Sequence, residues 1–311
     1  MGVIPAGPLA PAALRDLLLG EEAQVRAADR PAEEVSRILR YGAVVGSRIE
    51  RFERQGRCME HARQLIRQHE QAGRSFPSGL VLIAGELTAG KGRFDRAWHA
   101  PQGGLWLVLV LVNTLLPEHS RFYPMAAGIA CCETARQFGV AAHLKWVNDL
   151  HVSGRKLAGV LVETERGACS GEEYVLIGIG INVNNTAFPP ELAGLAISMR
   201  QLLGADLELD GFAARLLAKL AWNTGLLHHA EAECLARAGM DTDPSPHPLL
   251  ARWLELSDSI GRRVRFGFDV QRSPRYEAVV EGVDADGGLI LRLAQDDSLV
   301  TEHAGEIVYL D

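Results

Sequence analysis

The run Leu105-Trp106-Leu107-Val108-Leu109-Val110-Leu111-Val112 is the feature that most constrains this chain. It is far too short to span a bilayer, which takes roughly 20 apolar residues as a helix. Bounded by Gly103-Gly104, it reads as a buried strand. A buried strand needs neighbours, and the sequence offers them at Arg48 to Glu53, Leu80 to Ala84, His143 to Val147, Lys156 to Glu165 and Glu173 to Val183, with Val44-Val45 as a further short candidate. Ser153-Gly154 is a hairpin turn signal that joins two of them. Helical spacing of Met59, Ala62, Leu65 and Ile66 predicts a helix from Cys58 to Gln71. Pro124 suits the first turn of a second helix, ending near Phe138. Asp210 is the expected N-cap of a third, which carries Phe212, Leu216, Leu217 and Leu220. Strands and helices mix without strict βαβ alternation, so the fold class is α+β: a mixed β-sheet with flanking helices.

Composition shifts near Ser257. Short β-rich segments follow at Arg263 to Phe268, Tyr276 to Val283, Leu289 to Leu293 and Ile307 to Leu310, with Asp286-Gly287-Gly288 as a turn. They predict a small C-terminal β-barrel. The expected division is an N-terminal extension over 1–40, a main domain over 41–256 and the C-terminal domain over 257–311. Within the extension, Leu14, Leu17 and Leu18 mark one short amphipathic helix.

The formal net charge of -7 gives no general attraction to nucleic acid or anionic membrane, so any phosphate contact must be local. A winged-helix DNA-binding domain needs more residues and a basic recognition helix than the first 40 supply. The five cysteines are odd in number and show no CxxC pair, which points away from a disulfide framework or a zinc site. Cys131 and Cys132 read as buried thiols, and the histidines at 143, 151, 228 and 229 lack metal-ligand spacing. With no basic residue before Arg15 and no long apolar stretch near the start, a cytoplasmic location is the expectation.

Four segments carry chemistry. The loop Gly90-Lys91-Gly92-Arg93-Phe94-Asp95-Arg96 places three cations within six residues, between glycines that let backbone N–H groups turn toward an anion. It reads either as an anion cradle or as a solvated basic turn. Lys145-Trp146-Val147-Asn148-Asp149 ends an apolar strand; Lys145 is a phosphate contact or a strand-edge charge. Lys156 stands at the end of a largely apolar face shared with Ala158, Val160 and Val162, where a cation is costly without an anionic partner. The other reading is a solvated lysine beside the turn. In Gly178-Ile179-Gly180-Ile181-Asn182, the two glycines imply close approach of a backbone or a ligand.

In this order, with Trp98 and Pro101-Gln102-Gly103-Gly104 after the loop, these segments resemble the catalytic core of the biotin–protein ligases. Gly282 to Leu289 and Ala304-Gly305-Glu306-Ile307-Val308 look like the SH3-like C-terminal domain of many members. The resemblance implies a biotin/lipoate ligase-like catalytic domain. Such an enzyme uses ATP and Mg²⁺ to make an acyl-adenylate, then transfers the acyl group to a lysine of a biotin carrier protein. It implies catalytic roles for Lys156, Arg93 and Asp149, with Lys156 bridging the acid's carboxylate and the α-phosphate. Adenylate contacts would come from Gly90, Lys91, Gly92, Arg93, Arg96, Trp98, Lys145, Asn148, Gly159, Gly178 and Asn182, with no fixed protein metal site. Trp98 and Trp106 read as packing residues ahead of stacking platforms, although Trp98 follows the loop at its family position.

The departures cluster. The family's Ser-Thr-Asn/Met stretch, which contacts the ureido ring, is Arg57-Cys58-Met59 here, and its usual glutamine is Leu87. A ureido ring without partners is desolvated without compensation. The expectation is therefore a biotin ligase with a diverged acid pocket. The alternatives are the same chemistry on lipoate, octanoate or another carboxylic acid, and a non-catalytic protein that binds an adenylate or carrier. No DNA or membrane partner is expected, and an edge strand leaves a homodimer open.

Overall fold

The computed structural model describes residues 9–147, 149–237 and 246–310; Asn148, one of the expected site residues, lies outside the described residues. The chain opens with α1 (Pro11–Leu17), a π-helical turn (Leu18–Glu22), α2 (Ala23–Ala27) and α3 (Ala32–Gly42). Then come β1 (Arg48–Phe52), α4 (Cys58–Gln71), β2 (Leu80–Ala84), β3 (Leu105–Val112), α5 (Pro117–Ser120) and α6 (Tyr123–Gln137). A meander follows: β4 (His143–Lys145), β5 (Asp149–Val152), β6 (Arg155–Arg166) and β7 (Glu173–Ile181). After α7 (Met199–Leu203), α8 (Leu209–Ala236) and α9 (Pro248–Leu256), the chain ends in β8 (Arg263–Gly267), β9 (Tyr276–Val283), β10 (Leu289–Leu293), β11 (Leu299–Glu302) and β12 (Glu306–Tyr309).

The first seven strands form one mixed sheet in the order β1-β2-β3-β7-β6-β5-β4. Only β1 and β2 run parallel; the other neighbours are antiparallel. As expected from its unbroken apolar run, β3 lies inside the sheet and is covered on both faces. Leu107 and Leu109 share a core with α6 and α8, while Val108 and Val110 share one with Cys58, Met59, Ala62 and Ile66 of α4. The smaller α4 side leaves part of its face free for a site.

The N-terminal residues are tied to this body rather than trailing from it. Leu9, Leu14, Leu18, Val35, Ile38 and Leu39 belong to the α8-side core. Arg26 bridges Glu22 at 2.7 Å and Glu133 of α6 at 2.6 Å, and Lys219 of α8 reaches Glu22 at 3.2 Å. Such buried pairs are costly to break singly, so they fix where the segment docks.

Several sequence expectations are corrected. Val44-Val45 is a turn. The cap of α8 is Glu208, whose carboxylate accepts from the Asp210 and Gly211 N–H groups; Asp210 lies in the first turn and pairs with Arg51. The C-terminal strands form an open antiparallel sheet, β11-β10-β9-β8-β12, rather than a hydrogen-bond-closed barrel. β11 was not expected; its Leu299-Val300-Thr301-Glu302 carries few apolar residues to mark it. Among the described residues no helix is long and apolar enough to cross a membrane.

The β6–β7 loop is held by one carboxylate. Glu70 of α4 accepts from the Cys169 and Ser170 N–H groups, each at 2.9 Å, and from the Ser170 and Tyr174 hydroxyls, each at 2.7 Å. The Ser170 N–H contributes most, then its hydroxyl, Tyr174 and Cys169; together they lower the carboxyl from 4.5 to about 2. A depressed pKa adds stability that is present above the unfolded value and is lost as pH falls through the folded one. Glu70→Gln should therefore lower the thermal midpoint at neutral pH. The gap from the unmodified protein should close between pH 4.5 and about 2. Melts across that range check this; a gap independent of pH contradicts it.

Candidate active site

One rung of the main sheet organises the site. Following the register across all seven strands, Phe52, Ala84, Trp106, Gly180, Gly159, Asp149 and Lys145 are successive neighbours. Directly paired residues point to the same face. Two glycines at the middle of the rung leave a shallow floor between Trp106 and Asp149. Trp98 lies on that floor: a Cβ on Gly180 would sit 2.8 Å from its Nε1, and one on Gly159 would sit 3.4 Å from its ring. Trp98 also meets Trp106 edge-on at 6.4 Å. One rung further along, Met59 covers Gly178, with its Sδ 3.0 Å from where a Cβ would be. The close approach that Gly178 and Gly180 imply is thus made by side chains of this chain.

Lys156 does not lie on the face that a regular strand gives it. Leu150 pairs with Ala158, but His151 pairs with Lys156, so Leu157 is an extra residue in β6. Leu157 and Ala158 both enter the α8-side core. The bulge turns Lys156 onto the opposite face, where its side chain approaches Gly159 and its Nζ meets Asp149 Oδ1 at 2.7 Å. Beyond the end of β7, residues 195–197 clamp the Lys156 backbone: its N–H donates to Leu195 O at 2.7 Å and its carbonyl accepts from Ile197 at 3.0 Å. The ammonium lies 5.2 Å from the Trp98 ring centroid, an added cation–π contact.

Cations outnumber anions here. Burial alone would raise the Asp149 carboxyl, but Lys156, Lys145 and Arg93 together hold it below the usual range. Lys145 is pushed down by burial, only partly offset by Asp149, with Lys156 opposing it further. Burial also lowers Arg93, against the pull of Glu306 and Asp149. Asp149 is thus the one carboxylate that all three cations share, with Glu306 acting on Arg93 and Lys145 and Asp258 on Lys145 as well.

The basic loop is a compact turn. Gly92 N–H donates to Arg96 O and Trp98 N–H to Gly90 O, each at 2.9 Å, and Lys91 bridges to Ala97. Phe94 takes φ 55°, in the left-handed region, and both Arg93 and Arg96 lie over its ring, at 5.0 and 5.4 Å. Arg96 turns away from Lys156. It forms a fork with Glu306, with both bonds at 2.9 Å, and pairs with Asp269, so it ties the loop to the C-terminal sheet.

The remaining expected positions divide. Asn182 is buried beside Lys156: its N–H donates to Leu157 O at 3.0 Å, and its Oδ1 accepts from Asn185 Nδ2 at 3.0 Å. Cys58 and Met59 are core residues of α4, and burial pushes the Cys58 thiol up to about 12. Leu87 bridges the backbones of Gln55 and Ala100. Arg57 reaches Glu163 of β6 at 3.4 Å. Beyond Lys156, a cavity of about 340 Å³ opens between the β4–β6 tip and the C-terminal strands. Glu306, Asp269, Arg262 and Tyr309 were not singled out from the sequence. Ala304-Gly305-Glu306 was noted only as a sign of the C-terminal domain.

Residues 61–182 match the biotin/lipoate A/B protein ligase family. The bifunctional ligase/repressor BirA of Bacillus subtilis is 33% identical over 153 residues, 48% of this chain and 47% of that protein. The chain thus spans about half the length of this curated relative. The biotin–[acetyl-CoA-carboxylase] ligase of Mycobacterium tuberculosis is 29% identical over 238 residues, 75% of this chain and 79% of that one. Among solved structures, the Aquifex aeolicus biotin protein ligase in complex with biotin and ATP superposes with a TM-score of 0.64 at 19% identity. The superposition covers 85% of this chain and 98% of that one, and it shows a shared fold.

Two substitutions test this geometry. Gly180→Ala should cost about 1–3 kcal/mol in urea unfolding, because the new methyl meets the Trp98 ring. The cost should shrink in a Trp98→Ala background; an undiminished cost there contradicts the contact. Arg96→Ala should speed tryptic cleavage after Lys91 and Arg93 by releasing the loop from Glu306 and Asp269. An unchanged cleavage rate contradicts the tether.

Proposed function

From the match of residues 61–182 to the biotin/lipoate A/B protein ligase family, we propose that the chain is an ATP-dependent acyl–protein ligase that adenylates biotin and transfers it to a lysine of a biotin carrier protein. The observation that carries this reading is the Lys156–Asp149 pair at the head of the glycine rungs, inside an excess of positive charge.

In the first step a carboxylate oxygen of the acid attacks the α-phosphorus of ATP, and the bond to pyrophosphate breaks. Both reactants are anions, so fixed cations must offset their repulsion and the charge that develops. In this reading Lys156 bridges the carboxylate and the α-phosphate. Asp149 orients its ammonium, and Arg93 adds a second charge from the loop. Trp98 shields the floor from water, which protects a hydrolysable adenylate. In the second step the neutral amine of the carrier lysine attacks the acyl carbon and AMP leaves. In this reading Asp149 takes up the amine's proton. Mg²⁺ belongs to this reading as a companion of the nucleotide phosphates. The described residues offer no cluster of three or more His, Cys, Asp or Glu side chains to hold it, and no step is assigned to it.

One observation favours a second reading of the acid. At the positions where the resemblance puts the ureido-ring contacts, Cys58 and Met59 are buried in the α4-side core and Leu87 packs against it, so these side chains supply no polar partner for a ring. The same chemistry on lipoate or octanoate fits that surface.

Pyrophosphate release with ATP, Mg²⁺ and separate acids tests both. The unmodified protein should release pyrophosphate with biotin. Lys156→Ala should lower the rate by roughly 10²-fold or more with the fold retained by circular dichroism. Full activity in the variant refutes the role of Lys156. Release with lipoate or octanoate alone replaces the acid, and no release with any acid removes the enzymatic reading.

A further inference from the structure

Lys156 owes its place in the site to a bulge, and a bulge must be held. In an unbroken ladder beyond Leu150 and Ala158, His151 would face Leu157 and Val152 would face Lys156. Lys156 would then point with Ala158 into the α8-side core. The observed ladder pairs His151 with Lys156 instead, and Val152 with Arg155. A one-residue slip moves a side chain to the other face of the sheet, so the relative position of β5 and β6 decides where the ammonium goes. On β6 the anchor is the backbone clamp at residues 195–197. β5 has less behind it, because its outer neighbour β4 is an edge strand of three residues.

The missing support comes from the segment that leads into the C-terminal sheet. Ser257 bridges to Leu144 of β4. Beside it, Asp258 Oδ1 accepts from His151 Nε2 at 2.8 Å. The same carboxylate accepts from the Tyr309 hydroxyl at 3.1 Å and, through Oδ2, from Arg262 Nη2 at 2.8 Å. Asp258 thus joins β5, the linker and β12.

We propose that His151 and Asp258 are positioning residues for Lys156: their bond pins β5 to the C-terminal linker and so holds the bulge that turns the Lys156 ammonium toward Asp149. The catalytic consequence rests on the adenylation reading above; the structural one rests on strand register alone.

The His151 ring is fixed as such a role requires. It is 4% exposed, with the Tyr309 ring edge-on at 5.4 Å and the His143 ring at 6.2 Å. Among the described residues its Nδ1 has no hydrogen-bond partner. A buried polar atom without a partner is a cost that an alkyl side chain of similar size avoids. What the imidazole gives in return is the Nε2 bond to Asp258. Because directly paired residues share a face, His151 stands on the same side of the sheet as Lys156. The tie is therefore made at the bulge itself.

Biotin-dependent pyrophosphate release by the full chain is the first readout. His151→Leu keeps apolar bulk and leaves Asp258 its Arg262 and Tyr309 partners, so the C-terminal sheet stays seated. It should lower kcat by roughly tenfold or more, the cost of a displaced catalytic group, with KM for ATP and biotin held within about threefold. His151→Gln, whose amide N–H reaches the Nε2 position, should return kcat to within about threefold of the unmodified protein. An unchanged kcat, a rise in KM alone, or a His151→Gln variant as slow as His151→Leu overturns the proposal. The second readout needs neither ATP nor acid: trace acetylation of Lys156, followed by mass spectrometry with Lys91 as internal standard. Loss of the His151 bond should free the ammonium from Asp149 and raise Lys156 labelling several-fold; equal labelling overturns the proposal. Asp258→Glu keeps the charge and displaces the carboxylate by one methylene. It should raise Lys156 labelling as well, and it decides the matter if His151→Leu does not fold. A chain that releases no pyrophosphate with any acid yet shows this labelling pattern would lose the proposed reaction and keep the positioning role.

Discussion

Asp149 is the interaction on which the site depends. Its carboxylate contacts Lys156 and offsets Lys145 and Arg93, which come from three different segments of the chain. Remove it and Lys156 loses its ion-pair partner, while Arg93 and Lys145 keep only the pull of Glu306 and, for Lys145, Asp258. The carboxylate is placed by the sheet itself: Asp149 faces Gly159 on one side and Lys145 on the other, so strand register sets the charge geometry.

Glycine does the complementary work. A row of Gly180 and Gly159 inside an otherwise apolar sheet gives up side-chain burial, which weakens a strand. In return the floor is low enough for Trp98 to lie across it and for Lys156 to reach Asp149. The C-terminal sheet then closes the far side. Arg96 reaches Glu306 and Asp269, and Arg262 and Tyr309 wall the cavity. The loop and the cavity are thus both tied to the last fifty residues of the chain, which makes the small sheet one wall of the candidate site.

Much of this was legible in the sequence. Cys58 to Gln71, Leu80 to Ala84 and Leu105 to Val112 are the observed elements, because strong apolar periodicity left no competing assignment. The order of the basic loop, Lys145 to Asp149, Lys156 and Gly178 to Asn182 marked the site. What stayed hidden had physical reasons. Period-two reasoning put Lys156 on the face of Ala158, and a bulge leaves no mark in residue type, so its true face appears only with the register. The partner of Arg96 lies 210 residues away, beyond any local pattern. Glu208 displaced Asp210 as cap because both residues suit a helix start, and only the backbone selects between them. The short amphipathic start was recognised around Leu14, Leu17 and Leu18. Its docking through Arg26, Glu22 and Glu133 is a tertiary fact.

The proposed reaction links an activated carboxylic acid to a carrier lysine. The most direct measurement is intact-mass spectrometry of a biotin carboxyl carrier domain incubated with the full chain, ATP, Mg²⁺ and biotin. The account predicts a mass gain of one biotinyl group on the carrier, dependent on ATP and lost when the acceptor lysine is replaced. An unmodified carrier in the presence of active ATP and biotin would contradict it.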